Sequence, residues 1–156
     1  MSAQFVVARF PSDTHRAAID WLRAVDDIVS VHGGDLIVAT RGEPPSGAVA
    51  GWRLMSDNHR EIARGAALFA SERLAQAHAV RVRENVAGLA VHAAVEPRLR
   101  TTGWFATHDD ELVMVGARRY ENRSVARNAG ALALRLIAAM AVPPGSIGVT
   151  PAGLTR

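Results

Sequence analysis

The chain has 156 residues, of which 49% are apolar and only 5% aromatic, so we expect one compact domain or two small packed ones with a core of Ala, Val, Leu and Ile. It has no Cys, which excludes a disulfide framework and a Cys-based zinc site, and its net charge of +3 is too small to indicate nucleic-acid binding by itself. No secretory leader is recognisable and the longest apolar run, residues 129–142, is too short for a membrane span, so we expect a cytoplasmic protein with no membrane association.

The N-terminal segment predicts a strand followed by a helix. The apolar run from Phe5 to Phe10 fits a strand, and Ser12 is a preferred N-cap residue, so a helix is expected from Asp13 to about Val29. The expected buried stripe comprises Ala17, either Ala18 or Ile19, Leu22, Val25 and Val29. Trp21 lies off this stripe. Residues 1–33 are therefore predicted to form an N-terminal strand–helix arm, which could be a partial repeat.

Two later stretches share one pattern at a period of roughly fifty residues. Trp52 and Trp104 are 52 positions apart, and Phe69 and Tyr120 are 51 apart. Each stretch carries Gly-Trp, a polar turn with His and Asp, a Glu before apolar residues, a Gly, an aromatic and an Ala-rich helix. A short apolar segment precedes each one, at residues 36–40 and 88–95. The repeated unit is therefore predicted to be three strands and a helix.

Turn and capping residues divide each unit. The polar runs at residues 56–60 and 108–110 predict hairpin turns, because Asp and Asn favour turn conformations. Ser71 and Asn122 are expected N-caps, and Asn85 is expected just past the end of the first helix. Helical spacing predicts buried stripes at Leu74, Ala77 and Val80, and at Val125, Ala129, Leu132 and Leu136. We predict repeat 1 over residues 34–86, repeat 2 over residues 87–142 and a C-terminal tail over residues 143–156, with the loop of the second unit at residues 96–103.

The first stretch resembles the YegP-like family, a small bacterial domain of unknown function that is commonly found as tandem repeats. The residues that carry the resemblance are Trp52, the turn Asn58-His59, the strand Glu61-Ile62-Ala63, Phe69, Ser71 and the helix up to Asn85. The resemblance covers about residues 34–137 and implies an α+β fold of tandem ββ-β-α repeats, with antiparallel sheets, helices packed on one face and a pseudo-twofold. The chain departs from the family pattern near the end of each helix and after each third strand. The family motifs are structural, so the resemblance brings no catalytic site.

Few residues suggest chemistry. There is no nucleophile motif and no phosphate loop, so we expect no enzyme activity and no cofactor. His59 with Glu61, or His108 with Asp109, Asp110 and Glu111, could supply metal ligands. Because both sets fall on predicted turns, where polar residues are expected anyway, no metal site is predicted.

Arginine is the one residue type that suggests a binding surface. The candidate binding residues are Arg53, Arg60, Arg118, Arg119, Arg123 and Arg127. The last three are spaced to share one helical face, which could meet phosphate or could simply be solvated. We therefore expect a non-enzymatic interaction or assembly module that binds a protein partner or a second copy of itself. The alternative is a nucleic-acid-binding module that uses the Arg-rich helix face, whose affinity would fall steeply with salt.

Overall fold

A computed structural model describes residues 2–32, 37–38 and 47–140. The strands are β1 (Ala3–Phe10), β2 (Ile37–Val38), β3 (Val49–Ser56), β4 (Glu61–Gly65), β5 (Ala90–Glu96), β6 (Thr101–His108) and β7 (Glu111–Gly116). The helices are α1 (Arg16–His32), α2 (Glu72–Glu84) and α3 (Arg123–Ala138), with a 3-10 turn at Val86–Gly88. Six strands form an antiparallel sheet in the order β1-β3-β4-β7-β6-β5, and β2 pairs in parallel with β7. The predicted α+β class is confirmed.

The sheet consists of two groups of three strands that meet at β4 and β7. In each group a long outer strand pairs with the first strand of a hairpin, β1 with β3 and β5 with β6. The two hairpins share a register shift, after Leu54 in β3 and after Ala106 in β6. The seam between the groups is short and runs from the Ala63–Gly116 pair to the Gly65–Met114 pair.

The outer partner of β3 differs from the prediction. The sequence predicted a strand over residues 36–40 in that place, but the partner is β1, and Ile37–Val38 pairs with β7 instead. The rest of the predicted strand lies outside the described residues, as does the predicted tail over residues 143–156. Phe10 and Val49 pair across 39 positions of the chain, and apolar periodicity cannot identify so distant a partner. The strand predicted at residues 88–95 begins two positions later and ends one position later, and β6 begins within the predicted 96–103 loop.

The helices cover both faces of the sheet, because successive side chains of a strand point to opposite faces. Trp52 and Trp104 lie in one core cluster with α2 and α3. Phe105 and Leu112 lie in a second cluster with α1. The helices of the two predicted repeat units, α2 and α3, therefore pack on one face, and α1 of the N-terminal arm covers the other.

The buried stripe of α1 is rotated from the predicted one. It consists of Ala18, Trp21, Val25 and Ile28, whereas Ile19 and Leu22 are exposed and the side chain of Val29 lies outside the described residues. The indole Nε1 of Trp21 donates a hydrogen bond of 3.0 Å to the carbonyl oxygen of Gly65. Its ring meets Phe10 edge to face. The large indole, which also needs a polar partner, decides which face of the helix is buried.

The start of α1 also differs from the prediction. The helix begins at Arg16 rather than at Asp13, and Ser12 does not cap it. Instead, Nδ1 of His15 accepts a hydrogen bond from the backbone N–H of Ala17. Ser12 bonds to the hydroxyl of Thr14 and belongs to the turn before the helix. A residue type that favours the N-cap position, such as Ser12, can therefore lie near the start of a helix without capping it.

The predicted N-caps of α2 and α3 are confirmed, but of the residues predicted for their buried stripes only Leu136 is buried. Ser71 Oγ accepts from the N–H of Leu74, and Asn122 Oδ1 accepts from the N–H of Val125. The buried residues are Ala75, His78, Ala79 and Val82 in α2, and Ala126, Gly130, Ala133, Leu136 and Ile137 in α3. Small residues face the sheet because the helices pack closely against the two tryptophans. Leu74, Val125 and Leu132 are left exposed.

Each of those tryptophans also packs directly on a glycine. A Cβ atom added at Gly65 would lie 2.6 Å from the indole of Trp52, and one added at Gly116 would overlap the indole of Trp104. The two contacts occupy matching places in the two hairpins. Glycine is therefore required at both positions by space rather than by backbone conformation.

Candidate binding grooves

Two grooves lie at the sheet between a hairpin of one strand group and the helix of the other group. The first, which we name the apolar groove, has a volume of about 200 Å³ and lies between the β3–β4 hairpin and α3. Its lining residues are Ser56, Asn58, Arg60, Glu61, Ile62, Trp104, Arg118, Tyr120, Ala129, Leu132 and Leu136. Its base is Trp104, which is buried, and Leu132 on the wall keeps 38% of its surface exposed. The groove therefore offers apolar surface that solvent can reach.

The rim of the apolar groove is cationic, because the acidic side chain in its lining, Glu61, is paired with Arg53 and Arg64. Arg60 and Arg118 are exposed, and neither forms an ion pair with another described residue. The position of Arg60 is fixed by the hairpin turn, since its backbone N–H donates to Ser56 Oγ at 3.2 Å. Ser56 Oγ also bonds to Asn58 Oδ1, and His59 has a φ of 63°. One guanidinium thus comes from a rigid turn and the other from the segment that leads to α3.

The second groove, which we name the polar groove, also has a volume of about 200 Å³ and lies between the β6–β7 hairpin and α2. Its lining residues are His78, Arg81, Val82, Asn85, Leu89, His108, Glu111 and Val113. Asn85 donates from its side chain to the carbonyl oxygen of Arg81. His108 Nδ1 lies 3.7 Å from the carboxylate of Asp109. The lining carries both signs of charge.

His78 is a buried member of the polar groove. Its Nδ1 accepts a hydrogen bond of 2.9 Å from the indole Nε1 of Trp52, and its ring contacts the Phe69 ring at an interplanar angle of 39°. Burial, and secondarily the positive charge of Arg81, lower the pKa of His78 from 6.5 to about 4. At neutral pH the ring is therefore uncharged, and its remaining proton is on Nε2.

The structure does not bring the six predicted arginines together. Arg60 and Arg118 both line the apolar groove, and the other four do not line it. Arg53 lies over the Trp21 ring on the α1 side and pairs with Glu61 at 3.7 Å. Arg119 is close to Gly103, on the face that α1 covers. Arg123 and Arg127 are exposed one turn apart on α3.

The predicted turn residues do not assemble a metal site. Within residues 2–32, 37–38 and 47–140, no group of three or more His, Asp or Glu side chains could hold a metal ion. Thr107 Oγ1 and His92 Nε2 are 2.9 Å apart, which resembles a nucleophile and base. Thr107 is buried, however, so this pair is a cross-strand hydrogen bond rather than an accessible reactive group.

The apolar groove was not predicted, although its residues carried some signal. Trp104 and Tyr120 stood out as repeated aromatics, and Leu132 was assigned to the core. The groove combines the hairpin at residues 56–62 with a helix that begins some sixty residues later, and only the fold places the two together.

No helix in the described part of the chain has the length and apolar character that a membrane crossing needs. Comparison with protein-family models, curated proteins and solved structures found no match for this chain. The resemblance to the YegP-like family therefore stays a prediction that rests on the sequence motifs.

Proposed function

We propose that the protein is a non-enzymatic protein-interaction module and that its apolar groove binds a short segment of a partner protein. The segment that fits carries an apolar side chain flanked by acidic residues. The observation that carries this proposal is an accessible apolar lining with two exposed guanidinium groups on its rim that pair with no acidic side chain in the described part of the chain. Apolar anchors with a polar rim are the usual anatomy of a protein-binding site.

The two parts of the groove have different roles in this proposal. Burying an apolar side chain against Leu132 and Trp104 would contribute about 1.5–3 kcal/mol, since it removes apolar surface from water. Arg60 and Arg118 would donate charge-assisted, planar hydrogen bonds to carboxylates that flank the apolar side chain. Acidic flanks would therefore be favoured and basic flanks repelled.

We further propose that the fold is a YegP-like tandem repeat with a pseudo-twofold at the β4–β7 seam. One unit is β1, β3, β4 and α2, with α1 inserted after β1, and the other is β5, β6, β7 and α3. The matched register shifts, the matched Gly–Trp contacts and the matched N-caps support it. A fourth match is the pair of isolated bridges, Ala50 with Phe69 and Thr102 with Tyr120. On this view the apolar and polar grooves are the two copies of one place in the unit.

Fluorescence polarisation with a labelled ten-residue peptide tests the function. The probe carries a central Leu-Phe pair flanked by Asp on both sides, and two control peptides replace either Leu-Phe with Ser-Ser or Asp with Lys. We expect the Asp-flanked peptide to bind and both controls to lose about tenfold or more. Failure of the wild-type protein to bind it, or equal binding of all three peptides, would contradict the proposal.

Variants locate the binding surface. Leu132→Asp should abolish binding, and Arg60→Gln with Arg118→Gln should weaken it at low salt. Val125→Asp is the matched control, because Val125 lies on the same helix with a similar exposure of 39% but outside the groove. Equal losses in Leu132→Asp and Val125→Asp would place binding elsewhere.

A nucleic-acid-binding module is the second candidate. The exposed Arg123 and Arg127 on α3, which have no ion-pair partner among the described residues, favour it. A labelled single-stranded oligonucleotide provides the test, since phosphate contacts make affinity fall steeply with ionic strength. Oligonucleotide binding that is lost in Arg123→Gln with Arg127→Gln and kept in Leu132→Asp would support this candidate. Light scattering of the wild-type and Leu132→Asp proteins would show whether a second copy occupies the apolar groove instead, since a dimer formed there would be lost in the variant.

A further inference from the structure

We propose that the polar groove binds a small zwitterion of the amino-acid type. The carboxylate of the ligand would contact Arg81 and the Nε2–H of His78. Its ammonium group would contact Glu111. Its side chain would pack against the apolar wall formed by Val82, Leu89 and Val113.

The donor is His78. The indole N–H of Trp52 can only donate, so Nδ1 of His78 must accept and the ring proton must be on Nε2. His78 is 96% buried, lines the groove, and makes no second hydrogen bond to another described residue. This Nε2 atom is not among the fully enclosed side-chain atoms that lack a partner, so a ligand oxygen in the groove could reach the Nε2–H group and accept a hydrogen bond from it. The same tautomer excludes Nε2 as a metal ligand, because its lone pair is occupied by the proton.

The charges are those of Arg81 and Glu111. Both line the groove, yet they form no ion pair with each other or with any other side chain in the described ranges. A simple anion in the groove would be repelled by Glu111, and a simple cation would be repelled by Arg81. A ligand that carries both charges satisfies both side chains at once.

The volume limits the size of the ligand. Clefts for drug-sized ligands measure about 300–1,000 Å³. The polar groove measures about 200 Å³, which suits a smaller molecule such as one amino acid. Val82 and Val113 are buried, so the part of the wall they form suits an aliphatic side chain.

Isothermal titration calorimetry with three related compounds tests the charge assignment. L-valine carries both charges, N-acetyl-L-valine lacks the ammonium group, and L-valinol lacks the carboxylate. We expect L-valine to bind and each analogue to lose about tenfold or more in affinity. No binding of L-valine, or equal binding of either analogue, would overturn the proposal.

Variants of the lining test its position. Arg81→Gln and Glu111→Gln should each weaken L-valine binding about tenfold, because each removes a charge that the ligand would contact. Neither change should disturb the fold, since neither residue forms an ion pair with another described residue. His78→Asn should also weaken it, since Asn keeps an acceptor for the Trp52 indole and lacks the Nε2–H group. Arg73→Gln is the matched control, as Arg73 is exposed on the same helix away from the groove. Unchanged binding in Arg81→Gln and Glu111→Gln would overturn the assignment even if L-valine binds. Leu132→Asp should leave L-valine binding unchanged, which separates this site from the apolar groove.

Discussion

The indole N–H of Trp52 donates a hydrogen bond of 2.9 Å to Nδ1 of His78, which joins the centre of β3 to the buried face of α2. The bond satisfies two polar groups inside an apolar cluster, and both would otherwise carry a desolvation cost. It also selects the uncharged imidazole, because a protonated ring could no longer accept it. The stability of this side of the molecule is therefore linked to the protonation of one residue.

Acidification should destabilise the protein through His78. Its pKa is about 4 in the folded protein and 6.5 ordinarily, so the unfolded chain binds more protons between these values. The free energy of unfolding should therefore fall as the pH drops from 6.5 to 4, by at most about 3 kcal/mol, with no further loss from this residue below pH 4. Urea unfolding at pH 7, 5.5 and 4.5 measures the effect. His78→Asn is the comparison, and an identical pH slope in the two proteins would rule out the linkage.

Gly65→Ala and Gly116→Ala should both lower stability because the added methyl group meets a buried indole. We expect a loss of about 1–3 kcal/mol for each, as for other overpacked cores. Gly88→Ala is the control, since the nearest atom to its added Cβ is 3.4 Å away. Thermal unfolding of the three variants measures the differences. A Gly65→Ala protein as stable as Gly88→Ala would show that the indole of Trp52 can move aside.

Trp21→Ala should detach much of α1 from the sheet. The change removes a fully buried ring, its hydrogen bond to Gly65 and its contacts with Arg53 and Arg64, whose guanidinium groups lie 5.2 and 4.8 Å from the ring centre. Loss of a buried Trp costs about 3–5 kcal/mol. Leu22→Ala, one position along and 37% exposed, should cost far less. Denaturant midpoints compare the two, and similar losses would contradict the observed stripe.

Asn122→Ala should destabilise α3 by about 1 kcal/mol, because it removes the acceptor for the N–H of Val125. Ser71→Ala should have a comparable effect on α2. Asn128→Ala tests the same change of residue at an exposed interior position of α3, where no loss is expected. Chemical denaturation measures all three. Equal stability of Asn122→Ala and Asn128→Ala would mean that the cap contributes nothing.

Local features of the fold could be predicted from the sequence, and contacts between distant segments could not. The hairpins and the caps at Ser71 and Asn122 depend on neighbouring residues, so their chemistry is readable in a short window. The buried stripes depend on what the helix meets, and apolar spacing selected Leu74 and Val125 over the small residues that fit against the tryptophans. The pairing of β1 with β3 and the linings of the two grooves join segments far apart in the chain. Arg60 and Arg118 were predicted as binding residues, but only the fold shows that they share a rim.

The course of α1 across the sheet bears on the order of folding during synthesis. Trp21 packs beside Gly51 in the first strand group, whereas Ile28 packs beside Gly103 in the second. The second group is complete only at Gly116, more than eighty residues after the helix ends. At ribosomal rates of about 5–20 residues per second, the C-terminal half of α1 would be synthesised roughly 4–17 s before the surface on which it docks is complete. Until then, the part of its apolar stripe around Ile28 lacks the surface that buries it in the folded protein.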